Sequence, residues 1–149
     1  MMATQDILTE ALSEAMETMA FLATGPVDDQ AVFPETPVLV EIRFSGARTG
    51  SIQILSSQAL GRVLAENIGC LDRADEQASL DAWKEVCNVT CGLVIPRIAA
   101  SPADVFDLTV PAVSCGEGVP AWNDFVAQGD TRTLSVDGHA TAARLVIQS

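Results

Sequence analysis

Three polar residues near the middle of the chain have the types and the spacing that chemistry on a rigid surface needs. Asp81, Glu85 and Asn88 stand at positions i, i+4 and i+7, which form one stripe on a helix because seven residues make nearly two turns. The stripe continues to Gly92, which has no side chain, so this surface would be open to a partner. A carboxylate offers a charge-assisted contact, and an amide both donates and accepts hydrogen bonds. The same pattern is also typical of the solvated face of any soluble helix.

The element that carries this stripe is predicted to be a helix from Asp75 to Val94, stopped by Pro96. Its other side is rich in apolar residues, which would bury that side against a sheet. These residues are Leu80, Trp83, Val86, Cys87, Cys91, Leu93 and Val94. The sequence therefore predicts that Glu85 and Asn88 point away from the core on a rigid platform.

Two further helices and one hairpin are predicted in the first half of the chain. Apolar residues recur every three or four positions from Thr4 to about Ala23, which indicates a helix ended by Gly25-Pro26. Alternation in Val38–Phe44, followed by Gly50–Leu55, favours a half-buried hairpin. A helix is then predicted from Ser57, its N-cap, to about Asn67. The apolar stripe of the first helix is Leu8, Leu12, Ala15, Met19 and Leu22.

The last third is predicted to return to strands. One strand is expected over 104–113, and two more, 131–136 and 140–147, flank the hairpin signal Asp137-Gly138. The piece over 116–129 would loop across an edge of the sheet. The apolar residues are Val105, Leu108 and Val110 in the first strand and Trp122 and Phe125 as anchors in the loop. This order predicts an α+β (mixed α/β) fold, with an antiparallel β-sheet covered by helices on one side.

Composition narrows the class of protein. The 149 residues carry a formal charge of −12 and are 48% apolar, which predicts a single domain over 1–149. The acidity, with Lys84 as the only lysine, disfavours nucleic acid and anionic membranes as partners. No apolar stretch reaches the roughly 18 residues of a membrane span, and no basic secretory start is present, so a cytoplasmic location is expected. The cysteines, expected to be reduced core residues, are Cys70, Cys87, Cys91 and Cys115.

The surroundings of the stripe resemble a known signature. Asp81, Glu85 and Asn88 are followed, after 22 residues, by Pro111. The chemotaxis phosphatases of the CheC/CheX/FliM group have an Asp or Ser, a Glu, an Asn and a downstream Pro at these intervals. The chain is similar to that group over its whole length in size, acidity and order of elements.

The first helix carries a degenerate copy of the same pattern. Ser13 and Glu17 keep the four-residue interval, but Ala20 stands where the asparagine would be, and Arg43 stands where the proline would be. An offset of 68 residues between the two copies indicates a faint internal two-fold repeat. The CheC branch usually keeps two sites and the CheX branch one, so the chain resembles the CheX branch more closely, as a CheX-like domain.

The resemblance implies a protein-aspartate phosphatase. Members of the group remove the phosphoryl group from the aspartyl phosphate of a CheY-type response-regulator receiver domain, whose own Mg²⁺ neutralises the phosphoryl oxygens, so no cofactor of this chain's own is expected. Asn88 would orient the attacking water, as the glutamine of GTPases does, and Glu85 would anchor the receiver's phosphate-site lysine. Asp81 would cap or orient the stripe, and Pro111 would shape the strand behind the helix. A homodimer is also implied.

Other interpretations remain open at this point. A diverged relative would bind a receiver domain, or serve as a scaffold module of the same fold, without hydrolysing anything. His139 is the only histidine, and the pair Cys87 and Cys91 has no further ligand nearby in the sequence. Neither a histidine-based triad nor a metal site is therefore expected.

Overall fold

The computed structural model describes residues 3–148, so residues 1, 2 and 149 of the predicted domain lie outside the described part. In chain order the helices and strands are α1 (Thr4–Ala20), β1 (Thr24–Gly25), β2 (Pro37–Gly46), β3 (Thr49–Ser57), α2 (Gln58–Gly69), α3 (Glu76–Ile98), β4 (Phe106–Leu108), β5 (Ala112–Cys115), α4 (Trp122–Val126), β6 (Arg132–Val136) and β7 (His139–Gln148). They follow one another in the order that the sequence predicts, with two short elements added, β1 and α4, and with one predicted strand divided into β4 and β5.

The seven strands form one sheet in the order β1-β6-β7-β3-β2-β4, with β5 also paired to β2. Each pairing between these strands is antiparallel. The predicted hairpins β2–β3 and β6–β7 lie side by side at the centre of the sheet. Asp137 and Gly138 have φ values of 49° and 79°, the positive angles that a two-residue hairpin turn needs. The predicted α+β fold with an antiparallel sheet is confirmed.

Alternation along β2 decides which face of the sheet the main helices cover. Val38, Val40, Ile42 and Phe44 expose 2% of their surface or less, because they point to the face that carries α1, α2 and α3. This burial confirms the period-2 interpretation of the strand.

The other face is covered in part by the segment that the sequence predicts as a loop. Phe125 is buried there against Leu55 and Ala142, with Trp122 packed beside them. The segment contains a short helix, α4, so the helices are not confined to one side of the sheet as predicted.

α1 ends at Ala20, three residues before the predicted end. Phe21 takes a left-handed conformation with a φ of 56° and terminates the helix, while Gly25 lies in β1. The buried stripe also differs from the prediction, because Met16 is fully buried and Met19 only half-buried.

α3 continues to Ile98, so the prediction that Pro96 stops it is wrong. A proline inside a helix removes the hydrogen bond to the carbonyl four residues earlier, which here is that of Gly92. Ile98 nevertheless packs with Val94 in the core, and Arg48 donates a hydrogen bond of 3.2 Å to the Ile98 carbonyl. Burial of the last turn therefore offsets the lost bond.

A glycine allows α2 to lie close to α3. A Cβ atom on Gly61 would lie 2.1 Å from Oγ of Ser79 and 2.7 Å from Nε1 of Trp83. Ser57 caps α2 as predicted, since its side chain accepts a hydrogen bond of 3.0 Å from the Leu60 amide. The Ser79 hydroxyl of α3 donates a hydrogen bond of 3.1 Å to the Gln58 carbonyl, so α2 holds α3 in position above the sheet.

Candidate functional site

The predicted stripe lies on the exposed face of α3. Asp81, Glu85, Asn88 and Gly92 are all exposed, as their spacing predicts. The fully buried residues of the opposite side are Trp83, Val86, Cys87, Cys91 and Val94. The core therefore fixes the direction in which the stripe points.

A β-bulge at the edge of the sheet stands beside this stripe. The sequence predicts one strand over 104–113, but the structure divides it into β4 and β5, both paired with β2. From Glu41 to Phe44, β2 advances three residues, while the paired chain advances four, from Leu108 to Ala112. The extra residue makes this a bulge.

The bulge is held by its own hydrogen bonds and turns an apolar residue outward. The Thr109 amide donates to the Arg43 carbonyl at 2.9 Å, and the Thr109 hydroxyl accepts from the Arg43 amide at 3.0 Å. Pro111 lacks the N–H that regular pairing would use. Val105 and Val110, expected in a single strand, are 73% and 83% exposed.

α3 and the bulge form an open cavity of about 410 Å³ between them. Glu85 and Asn88 line it from the helix, and Pro111 lines it from the bulge. Three of the four motif residues thus meet at one place, although the proline is far from the others along the chain.

Asp81 lies apart from this cavity. It accepts a hydrogen bond of 2.9 Å from Gln77 and, together with Glu85, lines a neighbouring cavity of about 250 Å³. The N-cap of α3 is Asp75, whose side chain accepts a hydrogen bond of 2.8 Å from the Ala78 amide. The predicted role of Asp81, to cap or orient the stripe, stays a prediction.

The polar groups at the larger cavity are available to a partner. Within residues 3–148, the side chains of Lys84, Glu85 and Asn88 form no hydrogen bond or ion pair. Lys84 also lines the cavity, although it has no part in the predicted motif. The signal that could have found it is its place as the only lysine, four residues before Asn88.

The degenerate pattern on α1 has different surroundings. Ser13 hydrogen-bonds with Thr24, Glu17 is exposed, and Ala20 is fully buried. Because alanine has no polar group in its side chain, this pattern lacks the amide that Asn88 supplies. The internal repeat stays a prediction.

The four cysteines are free thiols in different environments. Burial raises the pKa of Cys87 to about 12 and that of Cys91 to about 11, so both stay protonated at neutral pH. A protonated thiol is neither a nucleophile nor a metal ligand. Cys115 is half-buried and Cys70 is exposed, so the predicted core position is right for two of the four.

The remaining candidates have these surroundings. His139 is half-buried at the start of β7, and its Nδ1 atom has no hydrogen-bond partner in the described part of the chain. Among residues 3–148, no group of three or more His, Cys, Asp or Glu side chains could hold a metal ion. None of the helices formed by these residues has the length and apolarity to cross a bilayer.

Solved structures with a similar fold are chemotaxis proteins. The CheX protein of Desulfovibrio desulfuricans matches with a TM-score of 0.72 at 15% identity, over 97% of this chain and 99% of that chain. CheX of Vibrio vulnificus matches with a TM-score of 0.70 at 19% identity, over 99% and 97%. The CheX–CheY–BeF3–Mg²⁺ complex from Borrelia burgdorferi matches with a TM-score of 0.65 at 18% identity, over 100% of both chains. These similarities define the fold as that of CheX proteins.

The sequence itself assigns the chain to a family. Residues 38–124 match the family described as Chemotaxis phosphatase CheX. This match spans more than half of the chain, and the chain therefore belongs to the CheX family. The matched range includes Glu85, Asn88 and Pro111. No curated protein matches the sequence.

Proposed function

We propose that this chain acts in the cytoplasm as a phosphatase on the aspartyl phosphate of a CheY-type receiver domain. The main support is that Glu85, Asn88 and Pro111 meet at one open cavity. Within residues 3–148, the side chains of Glu85 and Asn88 have no hydrogen-bond or ion-pair partner. Membership of the chemotaxis phosphatase CheX family supports the type of reaction. A CheX protein of similar fold forms a complex with CheY, BeF3 and Mg²⁺, which supports the class of partner.

Asn88 orients the attacking water in this mechanism. The water oxygen attacks phosphorus, the bond from phosphorus to the aspartate oxygen breaks, and inorganic phosphate leaves. Because an acyl phosphate is already activated and the receiver's Mg²⁺ neutralises the phosphoryl oxygens, placing the water is the main task left to this chain. An amide accepts a hydrogen bond from water and donates another without a charge that would compete for the metal.

Glu85 anchors the receiver by a charge-assisted contact to its phosphate-site lysine. It lies one turn before Asn88 on the same exposed face of α3, so this contact would bring the amide into the receiver's site. A rigid helix keeps the distance between the two side chains, which positional catalysis requires. Pro111 and Asp81 support this geometry from the bulge and from the preceding turn.

The lifetime of a phosphorylated receiver tests the role of Asn88. Each receiver domain encoded by the same genome is phosphorylated, and its decay is followed with and without this protein. Asn88→Ala is expected to reduce the acceleration by about 100-fold, since misplaced water loses positional catalysis. Asn123→Ala, at an exposed asparagine of α4, is the matched control and should accelerate decay normally. Full activity of Asn88→Ala would falsify the mechanism.

Complex formation tests the role of Glu85. Glu85→Lys should abolish measurable binding to the receiver, because it places a cation against the receiver's lysine. Glu14→Lys makes the same change of charge at an exposed position of α1 and should bind normally. Tight binding by Glu85→Lys contradicts the anchoring role. Binding of a receiver by the unmodified protein with no acceleration of decay would favour the non-catalytic receiver-binding module instead.

The homodimer belongs to the same proposal. In the described part of the chain, β1 pairs only with Ser135 and Val136 of β6. The rest of β6, residues 132–134, therefore forms an edge to which a second copy would add a strand. Light scattering should then give twice the 15.7 kDa mass of one chain. A single-chain mass at micromolar concentration would contradict it.

A further inference from the structure

The chain places its only lysine at the candidate site. Lys84 lines the cavity between α3 and the bulge, with its side chain half-buried. It stands four residues before Asn88, and residues at this interval are neighbours on a helix, about 5–6 Å apart between Cβ atoms. A flexible four-carbon stem then lets the ammonium group reach the space in front of the amide.

The positive charge of Lys84 is not neutralised within the protein. Asp81 and Glu85 lie three residues before and one residue after it on the same helix, yet neither forms an ion pair with it. Among the described residues that line the cavity, Lys84 and Glu85 alone are charged. The site therefore presents one anion and one cation, side by side, from a chain whose formal charge is −12.

We propose that the Lys84 ammonium group contacts the phosphoryl oxygens of the bound receiver's aspartyl phosphate. This inference rests on the proposed function. If Glu85 takes the receiver's phosphate-site lysine, the phosphoryl group loses part of the positive charge beside it. Lys84 replaces that charge with three N–H donors and no acceptor, directly beside the amide that holds the water. Without it, Glu85 and the acidic chain would repel a phosphoryl dianion.

A contact of Lys84 with the receiver surface and a contact with the phosphoryl group would affect binding differently. If Lys84 instead contacts carboxylates on the receiver surface, its removal weakens binding of the phosphorylated and unphosphorylated receiver equally. If it contacts phosphoryl oxygens, its removal weakens binding only when those oxygens, or fluorines that imitate them, are present.

The experiment compares two forms of the receiver whose dephosphorylation the unmodified protein accelerates. Dissociation constants are measured for that receiver with Mg²⁺ alone and with Mg²⁺ plus BeF3, which stands in for the phosphoryl group. Lys84→Gln is expected to weaken binding of the BeF3 form at least tenfold and binding of the Mg²⁺ form less than twofold. Lys84→Arg should recover most of the affinity because it restores the charge. Arg62→Gln, at an exposed arginine of α2, makes the same change of net charge away from the cavity and should bind both forms normally.

Three results would overturn the role of Lys84: equal weakening of both forms, no weakening of either, or an equal effect of Arg62→Gln. Any of these results can occur while Asn88→Ala still strongly reduces the acceleration, and in that case the proposed function stands. If the unmodified protein accelerates the decay of no receiver in the genome, the proposed function fails, and the role of Lys84 fails with it. Circular dichroism of the variants separates a lost contact from a lost fold.

Discussion

Trp83 donates a hydrogen bond of 3.0 Å from its Nε1 atom to the carbonyl of Ser57. The same Ser57 caps α2 through its side chain, so one residue joins the start of α2 to the middle of α3. Trp83 is fully buried and precedes Glu85 by two residues. This bond therefore helps to set the rotation of α3 about its axis, and with it the direction of the stripe.

Trp83→Phe should destabilise the protein by about 2–3 kcal/mol. The change leaves the buried Ser57 carbonyl without its donor, which costs about 1–3 kcal/mol, and it leaves part of the indole volume empty. Chemical denaturation measures the free energy of unfolding. Trp122→Phe is the control, because Trp122 is half-buried on the other face of the sheet. This change should lower the free energy of unfolding by less than Trp83→Phe does. Equal losses would show that the bond to Ser57 contributes nothing.

Gly61→Ala and Gly92→Ala should change stability in opposite directions. A Cβ atom on Gly61 would lie 2.1 Å from Oγ of the buried Ser79, so overpacking should destabilise by about 1–3 kcal/mol. A Cβ atom on Gly92 meets nothing within 4 Å, and alanine there should stabilise α3 by about 0.5–1 kcal/mol.

The double variant Gly61→Ala, Ser79→Ala tests the cause. Removing the Ser79 hydroxyl takes away the closest clash, so the double variant should unfold with a smaller loss than the sum of the single changes. Simple additivity would mean that the clash is not with Ser79.

The thiols in the core predict a loss of stability in alkali. Burial raises the pKa of Cys87 from 9.0 to about 12 and that of Cys91 from 9.0 to about 11. Below pH 9 the thiols are protonated in both states and do not make stability depend on pH. Between pH 9 and about 11–12 the unfolded chain releases these protons before the folded protein does, so the free energy of unfolding falls as pH rises. The double variant Cys87→Ala, Cys91→Ala should show a shallower fall; identical slopes would contradict this account.

Local chemistry explains why much of the fold could be predicted. Period-2 burial in Val38–Phe44, the Asp137-Gly138 turn and the Ser57 cap each depend on residues that are close together along the chain. The local structure there is determined by side-chain direction in the strand, by backbone angles in the turn and by one capping oxygen at the helix start. Each of these expectations agrees with the structure.

Contacts between distant segments explain what could not be predicted. Pro96 is a local stop signal, but burial of Ile98 in the core carries the helix past it. The break between β4 and β5 depends on β2, since Thr109 bonds to Arg43 from 66 residues away. The periodicity of one segment cannot indicate either contact, because the partner lies in a distant part of the chain.

The candidate site divides in the same way. Helical spacing predicts the exposed stripe with Glu85 and Asn88, while only the fold brings Pro111 to the same cavity. The motif does not include Lys84, because Lys84 becomes part of the site only through the bulge that lies opposite it. Whether these residues act as proposed stays a prediction for the receiver experiments.

Val110 should contribute to receiver binding although it contributes little to folding. It is 83% exposed, follows Thr109 in the bulge and lines the candidate cavity with Pro111. Val110→Asp removes apolar surface from that wall and adds a negative charge facing the receiver's carboxylate-rich phosphorylation site, so affinity should fall about tenfold.

Val105 provides the matched control for this change. It is 73% exposed and directly precedes β4, but it does not line the cavity. Val105→Asp should weaken binding less than twofold, and both variants should keep the free energy of unfolding within about 0.5 kcal/mol of the unmodified protein. Titration calorimetry with the BeF3-loaded receiver makes the comparison. If the two variants lose affinity equally, added negative charge acts through the whole protein, and the bulge is not part of the docking surface.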